Sequence, residues 1–489
     1  MSVSWTFVLS FLHRGSVANM FRKEKAVDEF DGGEKGTSLD PTTSVGNGAQ
    51  TVAHDAVFGE LTEEGPNYRA VGWKGAVVLM LKTQIGLGVL SIPEVFDTLG
   101  LIPGLISLLA IAICTSWSGW MVGTFKVRHQ DVYGLDDVGR KLCGRFGYET
   151  LGIAFALFCI FVAGSGILGI STALNALSTH GACTAIFVAV AAIVGFCLGS
   201  IQTLGRISWL AWVGTISILV SILILTISVG VQDRPSAAPQ TGPFKSDYKL
   251  FTSPNASSAF AALSSIVFAY AGVPAYFNIV SEMRRPQDFT KSLVYCQSIM
   301  TVVYVAIGVV VYYYCGSYVA SPALGSAGSL MKKVCYGIAL PGLLVSTTMY
   351  IHFAAKYFFI RFLRGTTHLA RNTKIHWTTW FGCTGSTAGI AYIIASAIPV
   401  FGGLVSLVGA LLGTLICFQP MGGMWFYDHW RERRSAKWMS MAFWSIFIIV
   451  SGTFLMIAGT YGSVVGIIDS YNATGGSSAW SCADNSNST

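Results

Sequence analysis

Charge is what this sequence has least of: Asp, Glu, Lys and Arg make up 11% of its 489 residues, against about 25% in soluble domains. So few charged groups cannot cover a water-exposed globule of this size. The usual pairing signals of cysteine are missing too. Its 11 cysteines include no CxxC and no Cys/His pair at metal-ligand spacing, so neither a zinc site nor a dense disulfide framework is indicated. Most are expected to pack as small apolar residues inside helices. The net charge is +7, but Lys and Arg stand in short loops and form no continuous basic face or aromatic-interleaved stripe, which argues against nucleic-acid binding. Apart from Lys82, the apolar runs hold almost no acids, bases or nucleophiles. A membrane enzyme would need such groups to converge, and a channel would need rings of like charge that do not recur here.

What the chain does contain is long apolar runs. Hydrophobic residues make up 53% of it and the mean hydropathy is +0.58. From Trp73 onward, runs near the ~20 residues needed to cross a hydrocarbon core recur between polar loops and Gly/Pro breaks. They fall near 73–98, 101–124, 148–175, 182–200, 206–231, 258–281, 291–316, 335–363, 377–398, 401–427 and 438–468, about eleven spans by this length criterion. Backbone groups in lipid must be satisfied internally, so the spans are helices. A β-barrel is excluded because the runs far exceed its ~10-residue alternating segments. The expected fold is therefore an all-α polytopic membrane protein.

Residues 1–68 are polar, rich in Gly, Ser, Thr, Asp and Glu, and lack a helical apolar period, so a disordered cytoplasmic tail is expected. The apolar stretch 5–12 is short and has no basic segment before it, unlike a signal peptide; Met20 is an alternative start. Residues 69–470 are expected to form the transmembrane domain and 471–489 a short extracytoplasmic tail. Basic residues set the orientation. With the N-terminus inside, the inner loops hold Lys126, Arg128, Arg140, Lys141 and Arg145, then Arg206, Arg284, Arg285 and Lys291, then Arg361, Arg364, Arg371 and Lys374, and finally Arg431, Arg433, Arg434 and Lys437. The outer loops hold only Arg234, Lys245, Lys249, Lys332 and Lys333. The N-x-S/T sequons at Asn255, Asn472 and Asn487 all fall on the outer side, as glycosylation candidates should.

Two spans are interrupted. Span one carries Lys82-Thr83-Gln84-Ile85-Gly86-Leu87-Gly88 and span six Phe268-Ala269-Tyr270-Ala271-Gly272-Val273-Pro274. Gly86 and Gly88 let the backbone unwind, Lys82 and Gln84 are costly in lipid unless they face protein or a cavity, and Pro274 removes a backbone donor. A single glycine pair would more simply serve close helix packing. Matching breaks five spans apart instead suit two inverted repeats, whose half-helices offer N–H groups to a carboxylate and carbonyls to an ammonium. A zwitterion fits such a site.

KTQIGLGVLSIP at 82–93, FAYAGVPAYFNIVSEM at 268–283 and SLVGALLGTLICFQP at 406–420 resemble the amino acid/auxin permease family. GELTEEGPNYRAVGW at 59–73 and QTLGRISWLAWVG at 202–214 resemble its fungal branch, which imports neutral aliphatic and aromatic amino acids. The resemblance implies eleven spans, a LeuT-like core with broken helices one and six, and ion- or proton-driven symport with no cofactor. Carried over, the carboxylate site falls on Thr83, Gln84, Ile85, Gly86, Leu87, Gly88 and Val89, and the amino-group site on Phe268, Ala269, Tyr270, Ala271 and Gly272. Sodium-coupled relatives typically carry Asn where this chain has Lys82, whereas proton-coupled relatives resemble it. Lys82, Ser346 and Thr347 are thus the candidates for proton coupling, and Glu282, ending span six, for an inner gate. Bland readings compete: Lys82 snorkelling to the surface, Ser346 and Thr347 bonding back to their own helix, Glu282 as a solvated helix-end charge. A sodium-coupled or vacuolar transporter, or an amino acid sensor on the same fold, remain alternatives to proton-driven uptake across the plasma membrane.

Overall fold

The computed structural model describes residues 71–474 apart from 203, 236, 240, 242, 370, 399 and 433, with 480 and 482–486 beyond them and two short strands, Ala53–Asp55 (β1) and Gly59–Leu61 (β2), before them. The tail expected over 1–68 otherwise lies outside the described residues. The chain divides into two compact units, Met1–His54 and Asp55–Thr489, and every helix below belongs to the second.

Span one is split into α1 (Trp73–Gln84) and α2 (Ile92–Leu99). Then follow α3 (Leu101–Arg128), α4 (Leu135–Ser178), α5 (Thr184–Gly199) and α6 (Leu204–Val231). Span six is split into α7 (Ala256–Tyr270) and α8 (Tyr276–Ser281). After it come α9 (Phe289–Cys315), α10 (Ser329–Leu363) and α11 (Lys374–Ala397). Span ten comprises α12 (Phe401–Val408), a π-helical turn at Gly409–Gly413, α13 (Thr414–Cys417) and α14 (Gln419–His429), and the last span is α15 (Ala436–Thr474). Among the described residues, nine of these passes are long and apolar enough to cross a bilayer. The other two are α5, apolar but only 16 residues long, about 24 Å against a ~30 Å hydrocarbon core, and α11, whose Thr, Ser and Gly dilute its hydropathy. Large apolar side chains stand exposed on the outer flanks, among them Ile193, Leu223, Phe443 and Ile457. Lipid covers such a surface without the cost it would carry in water.

Local chemistry explains the boundaries. Pro93 sits in the first turn of α2, where its missing N–H costs nothing. Gly100 turns α2 into α3 at φ 86°, and an added Cβ there would lie 2.9 Å from the backbone N of Thr252, so only glycine fits. Within α4, Cys143 and Gly144 leave helical geometry. This separates a polar segment with Asp136, Asp137, Arg140 and Lys141 from the membrane-spanning part, which explains why the apolar run begins only near 148.

Helices α4, α5, α10 and α11 pack on one another, and α10 also lies along α6. The broken helices form a second group: α2 packs on α7, α9 runs against α1, α2 and α3, and α3 touches α7 and α8. A disulfide joins Cys183, at the start of α5, to Cys482 in the C-terminal tail. The tail then fills polar gaps at the helix ends. Thr184 Oγ1 donates to Ala483 O at 2.7 Å, Asn175 Nδ2 to Asn485 Oδ1 at 2.7 Å, and Asn485 Nδ2 to Ser171 Oγ at 3.0 Å. Lys332 Nζ, at the start of α10, donates to Ser486 O. Most other cysteines are buried and free, packing as expected.

Candidate functional site

The first break begins where α1 ends. Ile85 leaves helical geometry (φ −78°, ψ 88°), and a 3₁₀ turn at Gly88–Ser91 leads into α2. The second break follows Tyr270 and is bridged by a 3₁₀ turn at Val273–Ala275 around Pro274. Such interruptions free carbonyls that lipid cannot satisfy, and here three side chains take them up. Tyr350 Oη of α10 donates to Thr83 O. Tyr304 Oη of α9 lies 2.9 Å from Gln84 O and 2.9 Å from Ala269 O. Lys82 Nζ donates to Ile85 O at 3.3 Å. The Gln84 side chain donates to Tyr276 Oη of α8. The two breaks therefore touch directly and share a hydroxyl partner.

A small cavity lies beside the first break. Its walls are Lys82, Thr83, Gln84, Gly86, Leu87 and Gly88 of span one, Phe158 and Val162 of α4, Phe268 of α7, and Ser346 and Tyr350 of α10. No carboxylate among the described residues faces it. Of the span-six residues singled out in the sequence, Phe268 lines this cavity, whereas Tyr270 turns toward α9, 3.2 Å from Thr301 Oγ1. Ala269 meets Gly88 backbone to backbone, and Gly272 lies against Thr83 and Gln84. Ile85, Val89 and Ala271 are buried in the core. Phe158, Val162, Tyr304 and Tyr350 carry no break motif, and sequence reasoning passed over them as apolar helix residues.

Lys82 is 1% exposed and does not snorkel. A Cβ at Gly214 of α6 would lie 3.1 Å from its Cε, and one at Gly86 would lie 3.7 Å from its Nζ and against Ser346 Oγ. Its ammonium is thus lodged where α1, α6 and α10 meet. Ser346 and Thr347 both bond back to their own helix, Ser346 Oγ to Gly342 O at 3.1 Å and Thr347 Oγ1 to Leu343 O at 2.9 Å. Ser346 still borders the cavity, while the Thr347 side chain lies against Gly166 of α4.

Glu282 is not a solvated charge. Its carboxylate pairs with Lys356 Nζ of α10, and the two side chains are 1% and 4% exposed. Beside them Val71 N donates to Glu282 O at 3.1 Å and Arg284 N to Val71 O at 2.9 Å. The chain entering span one is thereby bonded to the chain leaving span six. A second cavity borders this pair, walled by Asn278, Lys356, Tyr357, Arg361, Arg364, Asp136 and Asp137 among others. Asn255 is exposed at the start of α7 and Asn472 is exposed near the end of α15; Asn487 lies outside the described residues.

Paired breaks around a small cavity are the features that relatives can identify. Residues 69–465 match the family described as transmembrane amino acid transporter protein. The chain belongs to that family. A transmembrane transporter of Gibberella moniliformis is 33% identical to the transporter over 429 residues, 86% of this chain and 90% of that protein. Another from Fusarium pseudograminearum is 33% identical over 463 residues, 93% and 95% of the two chains. The N amino acid transport system protein of Neurospora crassa is 31% identical over 432 residues, 87% and 91% of the two chains. Amino acid transport is thus the transporter's general activity, and its relatives are transporters and not enzymes.

Proposed function

We propose that this chain is a proton-driven symporter of neutral amino acids, favouring bulky aliphatic and aromatic side chains, in the plasma membrane. The observation that carries the reading is the cavity itself, in which the Lys82 amine, the backbone of the span-one break and apolar walls meet with no acid among the described residues. The substrate carboxylate is assigned to the backbone from Thr83 to Val89, the amino group to the carbonyls from Phe268 to Gly272, and the side chain to the Leu87, Phe158, Val162 and Phe268 wall. Interruptions in spans one and six are what two inverted five-span repeats would place there. The Glu282–Lys356 pair and the Val71 bridge form the inner gate in this reading. Competition against labelled leucine by a full amino acid panel tests the selectivity. Leucine and phenylalanine are expected to compete at least about tenfold better than arginine, whose cationic side chain would lie unpaired in the cavity, and better than glutamate, whose carboxylate would lose its water against the apolar wall. Stronger uptake of arginine or glutamate would reverse the assignment.

In the same reading the N-terminus is cytoplasmic and the C-terminus extracellular. The basic bias of the loops supports it, as does the Cys183–Cys482 bond, since disulfides persist in oxidising surroundings. A variant with Cys143 and Cys197 replaced by Ser removes the exposed free thiols among the described residues. On intact cells, a membrane-impermeant maleimide should label this variant, at Cys183 and Cys482, only after reduction. Labelling that needs a permeabilised membrane would place the tail on the other side.

A further inference from the structure

Two carbonyls from different broken helices converge on one hydroxyl. Tyr304 Oη is 2.9 Å from Gln84 O in the first break and 2.9 Å from Ala269 O beside the second, and the side chain is fully buried. A phenol has one proton to donate, so it cannot satisfy both acceptors in full. Two carbonyl oxygens aimed at one point leave a strongly negative spot between the breaks, and this hydroxyl is what holds them together across it. Its place is fixed by an unbroken helix. Tyr304 stands on α9, its ring edge-on to Tyr270 with centroids 5.1 Å apart, and Tyr270 is in turn held by Thr301 of the same helix.

Tyr304 itself is not among the cavity's lining residues. Span one, α4, α7 and α10 supply the cavity walls, whereas Tyr304 reaches the breaks from α9. Where the breaks touch, Gly88 lies directly against Ala269 and the Gln84 side chain reaches Tyr276 Oη, and Tyr304 adds a hydroxyl that bonds a carbonyl of each.

We propose that Tyr304 is a positioning residue for transport: by bonding to Gln84 O and Ala269 O together, its hydroxyl fixes the spacing of the two backbone turns that hold the substrate's carboxylate and ammonium. This rests on the reading of those turns as the substrate site. Without the hydroxyl the turns lose their common anchor; Gln84 O keeps its bond from Gly86 N at 3.0 Å, while Ala269 O loses the bond from Tyr304. Affinity is lost, while the moving parts that set the maximal rate keep their contacts.

The test uses the full chain reconstituted in liposomes, comparing wild type, Tyr304→Phe, and a protein with p-aminophenylalanine at 304, which keeps the ring and places an amine where the hydroxyl was. Tyr304→Phe is expected to raise the KM for leucine at least about tenfold with the maximal rate within about threefold of wild type, and the amine to restore KM to within about threefold. An unchanged KM in Tyr304→Phe would overturn the proposal. So would an amine variant as defective as Phe, which would make the ring and not the donor the important part, or loss of folded protein in both variants, since a local anchor leaves the fold intact. A wild type that takes up no amino acid would fell the substrate-site reading and this inference together, whereas an active wild type with an unaffected Phe variant fells this inference alone.

Discussion

Gly88→Val is expected to abolish uptake while leaving the protein in the membrane. A Cβ built at Gly88 lies 2.5 Å from Ala269 Cα and 2.9 Å from Ala269 Cβ, closer than any real contact. The obstacle is the backbone of the other break and cannot rotate away, so one broken helix must move off the other. Overpacking of this kind costs about 3 kcal/mol or more, which corresponds to a fall of at least about 100-fold in transport if the contact belongs to the substrate site. Gly86 differs. Its added Cβ meets the Ser346 hydroxyl, a side chain able to turn, with Lys82 Nζ 3.7 Å away. Gly86→Ala is therefore expected to retain part of the activity. Gly86→Val is expected to lose it, because a β-branched residue resists the turn geometry and fills the cavity mouth. Uptake at known surface expression checks the series. Near-normal transport by both valine variants would show that the breaks do not form the site.

The breaks were legible in the sequence because they violate a strong local rule. Lys82, Gln84, two glycines and Pro274 stand inside runs that lipid should make uniformly apolar, and each violation marks backbone that needs a partner. The partners themselves were not legible. Tyr304 and Tyr350 sit in apolar helices where a tyrosine reads as packing, and the bonds that give them a role cross from one helix to another over 220 and 267 residues of sequence. The disulfide was hidden for the same reason. Cys183 and Cys482 are 299 residues apart, and no local spacing distinguishes them from the cysteines that simply pack. Glu282 illustrates a third limit. Flanked by Met283, Arg284 and Arg285 it looks like a helix-end charge, and only the fold brings Lys356 onto it. Periodicity and composition report what a residue does to its own helix; pairings between helices appear only once the helices are packed.

The second large effect is expected at Lys82, the residue on which the proposal of proton coupling rests. Its ammonium is buried where α1, α6 and α10 meet, donates to Ile85 O at 3.3 Å, and takes part in none of the carboxylate pairs among the described residues. While it is protonated, Lys82 at the lip of the first break repels a second cation. A sodium ion brought to the same carbonyls would meet it at a few ångströms, where repulsion in a medium of effective dielectric ~20 amounts to several kcal/mol. In the proposed reading the ammonium, beside Ser346 of α10, takes the place of a bound ion between α1 and α10. Wild-type vesicles are therefore expected to accumulate leucine when a pH gradient, acidic outside, is imposed, and to ignore a sodium gradient at constant pH. Lys82→Ala should lose the gradient-driven component by at least about tenfold. Lys82→Met separates charge from bulk: it keeps most of the stem's packing and should be as defective as Ala if the ammonium is what matters. Sodium-stimulated uptake indifferent to the pH gradient would overturn proton coupling altogether. Proton-driven uptake that survives Lys82→Ala unimpaired would keep the coupling and remove this residue from it, leaving the brace between α1 and α10 to the Tyr350 bond on Thr83 O.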